Sequence, residues 1–411
     1  MKLSPLEQRL VKEFENFEVV DAHEHLPPEQ VRTSAKVDVF TLFSHYTRTD
    51  IITAGMKPHD YDRLLNPDLP IDMRWNMFEP YLEQIRFGSY ARPAFIAAKE
   101  FYGQDDISRK TYAAITEAMQ SFNKPGIYQK VLREKCRIRT ALTQGNRTDY
   151  DLDLLVPLMP LDTYAGAFTW EDIANRARDL DLTVNTLDDY VSAMEQGVAR
   201  WKGQGVVGLK MASRPYSTPD RPQALCAFDR LRSGAEARLA DMNPLRDFLT
   251  EKLLQLCARQ ELMVAVHAGV WGDFRELDSG HIIPIVMRNP NTRFDLYHAG
   301  MPAVRQTGMI GKNFPNVWLN LCWTHIVSPV MTRSALNEWV DLVPVNKIIA
   351  FGGDYGLPVE KVYGHLVIAR ENIARVLARR IEDDLMTEGQ AVAVAKKWFL
   401  DNPKEAYRLN I

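Results

Sequence analysis

Two histidines one residue apart end the first apolar run of the chain, Phe17-Glu18-Val19-Val20-Asp21-Ala22-His23-Glu24-His25. Alternate side chains of a strand point the same way, so His23 and His25 share one face at its C-terminal end. Three later apolar runs also end in a residue able to bind a metal: Leu262–His267, Phe294–His298 and Ile348–Asp354. One such residue at the tip of each of several strands is how a barrel assembles a metal site at its C-terminal mouth.

The bulk numbers fit that frame. With 411 residues, 46% hydrophobic and 25% charged, the chain has the composition of an ordinary globular protein. A formal charge of −3 leaves no basic footprint for nucleic acid. No apolar stretch approaches membrane-spanning length. Cys136, Cys226, Cys257 and Cys322 are far apart and read as free thiols of a reducing, cytoplasmic compartment. The residues Met1–Phe14 have no signal-peptide core, and the sequon Asn146-Arg147-Thr148 then carries no meaning.

Eight short β-rich runs are legible: Val19–His23, Ile138–Thr143, Leu154–Met159, Val206–Met211, Met263–His267, Arg293–His298, Val317–Leu321 and Ile348–Gly353. Helical patterns fill most gaps. Thr186-Leu187-Asp188-Asp189 resembles a capping box, Pro244 marks a helix start, and 334–343 and 362–381 have helical periodicity. A last helix follows Thr387 and ends at Asn402-Pro403. This alternation predicts a distorted (β/α)8 barrel over 1–411 as a single domain. No strand is visible between His25 and Ile138. Residues 27–136 read as a helical insertion rich in Arg and aromatic residues (Arg74, Trp75, Tyr81, Arg86, Tyr90, Arg92) and placed as a lid over the mouth.

The chemistry-bearing residues follow from position. His23, His25 and Asp354 form the candidate metal set, with His267 as a further ligand. Asp354 can bind metal and still accept a proton; His298 is a further candidate to accept one. Lys210 is a charge in an otherwise apolar strand and needs a reason to be there. It could pair with Asp354, bind a substrate carboxylate, or be carboxylated to bridge two metals. Arg214, Tyr216, Trp271, Arg275 and Trp323 follow strand ends and are candidates for substrate binding, with Asp273, His281 and His325 on the same loops. The cations favour an anionic small molecule. Gly203-Gln204-Gly205-Val206-Val207-Gly208 matches GxGxxG but leads into a strand, so it cannot cradle phosphate at a helix start. His45, His59 and His365 have no matching partners and read as surface or helix residues.

These residues resemble the amidohydrolase superfamily of metal-dependent TIM-barrel enzymes, most closely its amidohydrolase 2 or amidohydrolase-related branch. The superfamily pattern falls on His23 and His25, Lys210, His267, His298 and Asp354. The stretch from Val345 to Asp354, followed by Ala369-Arg370-Glu371-Asn372, has the look of that branch. The resemblance implies a divalent metal, zinc first, one ion rather than two, held by His23, His25, His267 and Asp354. It implies a hydrolase that activates water for attack on a small carboxylate-bearing substrate, with Asp354 or His298 as base. The same scaffold also carries decarboxylases and sugar-acid isomerases. The insertion is similar in placement to that of uronate isomerases, while the later Trp/Arg motifs of those enzymes have no convincing counterpart here. A non-catalytic metal scaffold is disfavoured because no ligand position is missing. Oligomeric state and substrate identity are left open.

Overall fold

The structure is a computed structural model that describes residues 2–166, 169–234, 238–270 and 272–411. The strands are β1 (Val19–Glu24), β2 (Ile138–Gln144), β3 (Leu155–Pro160), β4 (Gly208–Ala212), β5 (Met263–His267), β6 (Arg293–Leu296), β7 (Val317–Asn320) and β8 (Ile348–Ile349). They join in sequence order in one eight-stranded sheet, with β1–β2, β3–β4, β4–β5, β5–β6 and β6–β7 paired in parallel. The fold is a (β/α)8 barrel, and its main irregularity lies between β2 and β3, where 145–154 crosses without a helix.

All eight expected strands exist, with two instructive differences. β6 stops at Leu296, and His298 lies beyond it at φ 62. β8 is reduced to two residues, and the chain to Asp354 runs on as extended coil. In both places the candidate site residue lies past the strand, at a positive φ, and not on the strand itself.

By contacts the chain divides into two compact units: Met1–Thr143 with Leu321–Asn337 and Ile349–Asp401, and Gln144–Asn320 with Glu338–Ile348 and Asn402–Ile411. The first unit contains the 27–136 segment. Its helices include Glu29–Ser34, Thr47–Thr53, Pro58–Leu65, Ile71–Ile85, Arg92–Tyr102 and Tyr112–Phe122. They close around their own apolar core, in which Phe40, Phe43, Trp75, Phe78, Leu82 and Met119 are buried. Arg74 belongs to that core: it pairs with Asp38 at 2.6 Å and lies 4.8 Å over the Phe40 ring. Part of the segment's Arg and aromatic content is therefore spent on its own packing.

One buried cluster ties the segment to the helix Glu360–Glu382. Arg32 Nη2 meets Glu360 Oε1 at 2.7 Å, with both side chains fully buried. Tyr102 donates to the same oxygen at 2.6 Å, and Arg32 also donates to Asn123. Such a pair adds little when intact, but removal of one partner strands a buried charge.

In the second unit, Thr186 caps the helix Leu187–Gly203 as the capping-box pattern predicts. Pro244 does not start a helix. It lies inside Leu239–Gln260, one turn later than the helix start, where a single lost backbone hydrogen bond is outweighed by a long buried face. Both His-Ala-Gly endings turn at their glycines, Gly269 at φ 70 and Gly300 at φ 59. A Cβ on Gly269 would fall 1.9 Å from the Met301 carbonyl oxygen. The closing helix also departs from expectation. The chain runs from Glu388–Lys396 through Lys397–Asp401 into Asn402–Tyr407, so Pro403 opens a helical turn rather than ending one. Among the described residues no helix is long and apolar enough to cross a membrane.

Arg32→Met should destabilise the protein by about 3–5 kcal/mol by leaving Glu360 buried without its cation. Urea unfolding checks this, and a loss below about 1 kcal/mol would mean that the cluster does not anchor the segment.

Candidate metal centre

The candidate centre is built by β1 and the coil after β8, which run side by side. Ala22 N–H donates to the Phe351 carbonyl at 3.0 Å, Asp354 N–H to the His23 carbonyl at 2.8 Å, and His25 N–H to the Tyr355 carbonyl at 3.0 Å. Two buried acids of β1 reinforce the contact. Asp21 Oδ1 accepts from the Gly353 N–H at 3.0 Å, and Glu24 Oε2 accepts from the Tyr355 N–H at 2.6 Å. Burial raises both acids, Asp21 to about 7 and Glu24 well above its usual range; the Asp21 charge raises Glu24 further, while the contact with Glu24 and the amides of Gly353 and His23 pull Asp21 back down. The chain must pass very close here. A Cβ on Gly353 would lie 2.0 Å from Glu24 Oε1, which explains the glycine.

This pairing brings three ligand-type side chains together. His23 Nε2 and His25 Nε2 lie 3.2 and 3.4 Å from Asp354 Oδ1, and one ligand atom from each of the three residues falls within 4.8 Å of the others. Asp354 is fully buried and sits at φ 61, a conformation that Asp tolerates better than most residues. Two imidazole nitrogens and a carboxylate oxygen are donors that a divalent ion accepts, so the residues fit a metal.

The insertion reaches this centre through a residue the sequence did not flag. Tyr46 donates its hydroxyl to Asp354 Oδ1 at 2.8 Å. Burial, then the Asp354 charge, raises the Tyr46 phenol far above its usual range, so it stays protonated as a donor. Its ring stacks on Trp323 with centroids 4.1 Å apart, and Tyr90 lies at 5.9 Å from the same indole. The neighbouring Thr47 accepts from Lys361 Nζ at 3.0 Å. Lys361 is fully buried, and burial lowers it to about 7.

Two of the three histidines read as unpartnered belong here. His45 lies 6.1 Å from the His25 ring, and burial lowers it to about 4. His365 is fully buried, with Nδ1 3.2 Å from the Gly353 carbonyl. His59 is a surface residue, as the sequence implied. His45 follows a stretch without periodicity and His365 lies within a helical one, so only long-range folding could reveal either. His325 is a packing residue. It is buried, with Nε2 2.9 Å from the Ala350 carbonyl.

The remaining sequence candidates lie in the second unit. His267 Nδ1 and His298 Nε2 are 3.0 Å apart. Lys210 donates to Gln144 Oε1 at 3.0 Å and lies 4.1 Å over the Tyr297 ring. Asp295, unremarked in the sequence, is buried below them on β6. It accepts from Asn320 at 2.8 Å and Tyr407 at 2.6 Å, and burial raises it to about 7. Arg214 is engaged by Asp247 at 2.7 Å and stacks on Tyr216 at 3.9 Å, while the Tyr216 hydroxyl bonds the Ala212 carbonyl. Arg275 is 81% exposed and holds Asp273 at 2.6 Å. His281 contacts the Arg275 carbonyl. Trp271 lies outside the described residues.

Comparisons with known proteins bear on the family and the fold. In solved structures the chain is similar to uronate isomerase from Thermotoga maritima, with a TM-score of 0.82, 14% identity and 98% of each chain covered. It is also similar to glucuronate isomerase from Caulobacter crescentus, with a TM-score of 0.80, 13% identity, and 99% of this chain and 94% of that one covered. At these identities the likeness concerns the fold. In sequence the chain is 24% identical over 212 residues to Protein fluG of Emericella nidulans, spanning 48% of this chain but only 24% of that protein. Residues 162–409, more than half of the chain, match the family model described as Amidohydrolase, and the chain belongs to that family of the amidohydrolase superfamily.

Proposed function

We propose that this enzyme is a metal-dependent hydrolase of a small carboxylate-bearing substrate. The observation that carries the reading is the buried Asp354 carboxylate standing within 3.4 Å of both His23 Nε2 and His25 Nε2. His23, His25 and Asp354 would hold one divalent ion, zinc first. Such an ion supplies Lewis acidity toward a water or a carbonyl oxygen. His267 is proposed as a further ligand. If its Nδ1–H donates to His298 Nε2, its Nε2 is left as the coordinating nitrogen, the arrangement by which a second residue fixes a ligand's tautomer.

Asp354 is the proposed base, with Tyr46 orienting its Oδ1 through a hydrogen bond; His298 is a second acid–base group. The 27–136 segment acts as a lid through Tyr46, with Trp323 as an aromatic wall for substrate. Lys210 is the proposed anchor for the substrate carboxylate. Its place over the Tyr297 ring favours an unmodified ammonium, and hence one ion rather than two. Arg214 and Arg275, with Tyr216, are already engaged by their own neighbours, so Arg275→Met is expected to cost little. Trp271 stays a candidate wall residue on sequence position alone.

Sugar-acid isomerisation is the second reading. The whole-length fold likeness favours it, as does a phenol on the carboxylate that would carry a proton between two substrate carbons. Decarboxylation rests only on the shared scaffold.

The purified chain should carry about one equivalent of divalent metal, and His23→Ala should lose metal and turnover together. A His23→Ala protein with full metal content would refute the ligand set. Turnover of carboxylate-bearing amides, esters, uronic acids and aromatic acids in deuterated water, followed by mass spectrometry, tells the chemistries apart. Hydrolysis gives products that sum to substrate plus water. An unchanged formula with deuterium on carbon would replace it by isomerisation, and loss of CO2 by decarboxylation. Tyr46→Phe should lower kcat by about 10²-fold, as expected when a catalytic group loses its orientation, with metal content kept. Wild-type kcat in that variant would remove Tyr46 from the mechanism.

A further inference from the structure

Away from the metal centre, three arginines from three helices meet at one cavity of the first unit. The cavity has a volume of about 380 Å³, within the range of small-molecule sites, about 300–1,000 Å³. Arg92 enters from the helix Arg92–Tyr102, Arg333 from Pro329–Leu342, and Arg375 from Glu360–Glu382. No side chain of the metal centre lines it.

The charges in this cavity do not balance. Arg92 reaches Glu371 only at 4.0 Å, and Arg375 reaches Glu7 at 3.6 Å. Arg333 donates to a neutral partner, Asn372 Oδ1, at 2.8 Å. Among the described residues no carboxylate lies within 4.0 Å of the Arg333 guanidinium. Burial, then the positive charges of Arg375 and Arg92, push Arg333 below its ordinary value. Three guanidiniums and one carboxylate, Glu371, thus line the cavity. Like charges are not gathered in a half-buried cavity without cost, and an anion would relieve it.

We propose that Arg92, Arg333 and Arg375 form a binding site for a tetrahedral oxyanion, either free phosphate or the phosphate of a phosphomonoester. The planar fork of arginine matches such oxygens in pairs, and three forks from three directions suit a tetrahedral group better than a planar carboxylate. The charge of a phosphomonoester, about −1.5 to −2 at pH 7, answers the cationic excess. Asn372 and Ser89 line the same cavity as polar neighbours. Phe87 is 87% exposed and Val330 69% exposed at its edge, an apolar rim that favours an ester with an apolar group over free phosphate.

An anion there would fasten the insertion to two barrel helices beside the centre. Ser89 already bonds the Val327 carbonyl at 3.3 Å, and the next residue, Tyr90, stacks on Trp323.

The test is calorimetric titration of the metal-loaded full chain with inorganic phosphate and, separately, phenyl phosphate, at constant chloride. Dissociation constants below about 1 mM are expected, corresponding to roughly −4 kcal/mol. Arg92→Gln and Arg333→Gln should each weaken binding at least tenfold, and Arg305→Gln, on an exposed surface pair, should not. Tighter phenyl phosphate identifies the phosphomonoester; equal affinity identifies free phosphate; both support the site. Arg92 is 45% exposed, so its variant should fold even if Arg333→Gln does not. The same titration on His23→Ala separates this site from phosphate caught at the metal. The proposal is overturned if neither probe binds below about 10 mM, if Arg92→Gln binds as wild type, or if His23→Ala abolishes binding.

Discussion

The candidate centre depends on one backbone contact, the zipper between β1 and the coil Phe351–Tyr355. Three main-chain hydrogen bonds set Asp354 against His23 and His25. The candidate ligands are therefore brought together by backbone before any metal or substrate is considered. The contact is expensive to build. It needs Gly353 where a Cβ would strike Glu24, a left-handed Asp354, and two carboxylates taken wholly out of water. Asp21 and Glu24 offset part of that cost by accepting the amides of the same coil, so the acids flanking the histidines act as struts.

Around this zipper the 27–136 segment packs about its own apolar core and touches the centre through Tyr46, with Tyr90 against the same indole. Its aromatic core and the Arg74–Asp38 pair hold its helices to one another. The Arg32–Glu360–Tyr102 cluster fixes it to the helix that follows the Asp354 coil. Lys361, next to Glu360, grips Thr47, and Tyr46 beside it reaches Asp354. Anchor and probe are one residue apart on each side, so their positions are coupled over short, stiff stretches of backbone.

The second unit shows the same economy of charge. Lys210, which the sequence marks as an oddity inside an apolar strand, is accommodated by a glutamine and an aromatic face. Asp295 is held by Asn320 and Tyr407, the tyrosine coming from the last helical turn of the chain. The arginines that looked available for substrate are taken up locally, Arg214 by Asp247 and Arg275 by Asp273.

The sequence by itself determined the barrel, its eight strands and the identity of the ligand-type residues. That information is local: an apolar run of strand length specifies a buried parallel strand, and the residue ending it specifies what stands at the mouth. It also shows helices and no strand between the first two strands, since helical periodicity is visible in any window. Tertiary structure alone decided which groups meet. Tyr46 and His45 follow a stretch with no periodicity, and Asp354 lies more than three hundred residues away. Partner choice among charges was equally hidden, because an arginine's nearest carboxylate depends on folded distances that spacing does not encode. Ligand types are written in strand ends; their neighbours are set by which distant segments the closed packing forces together.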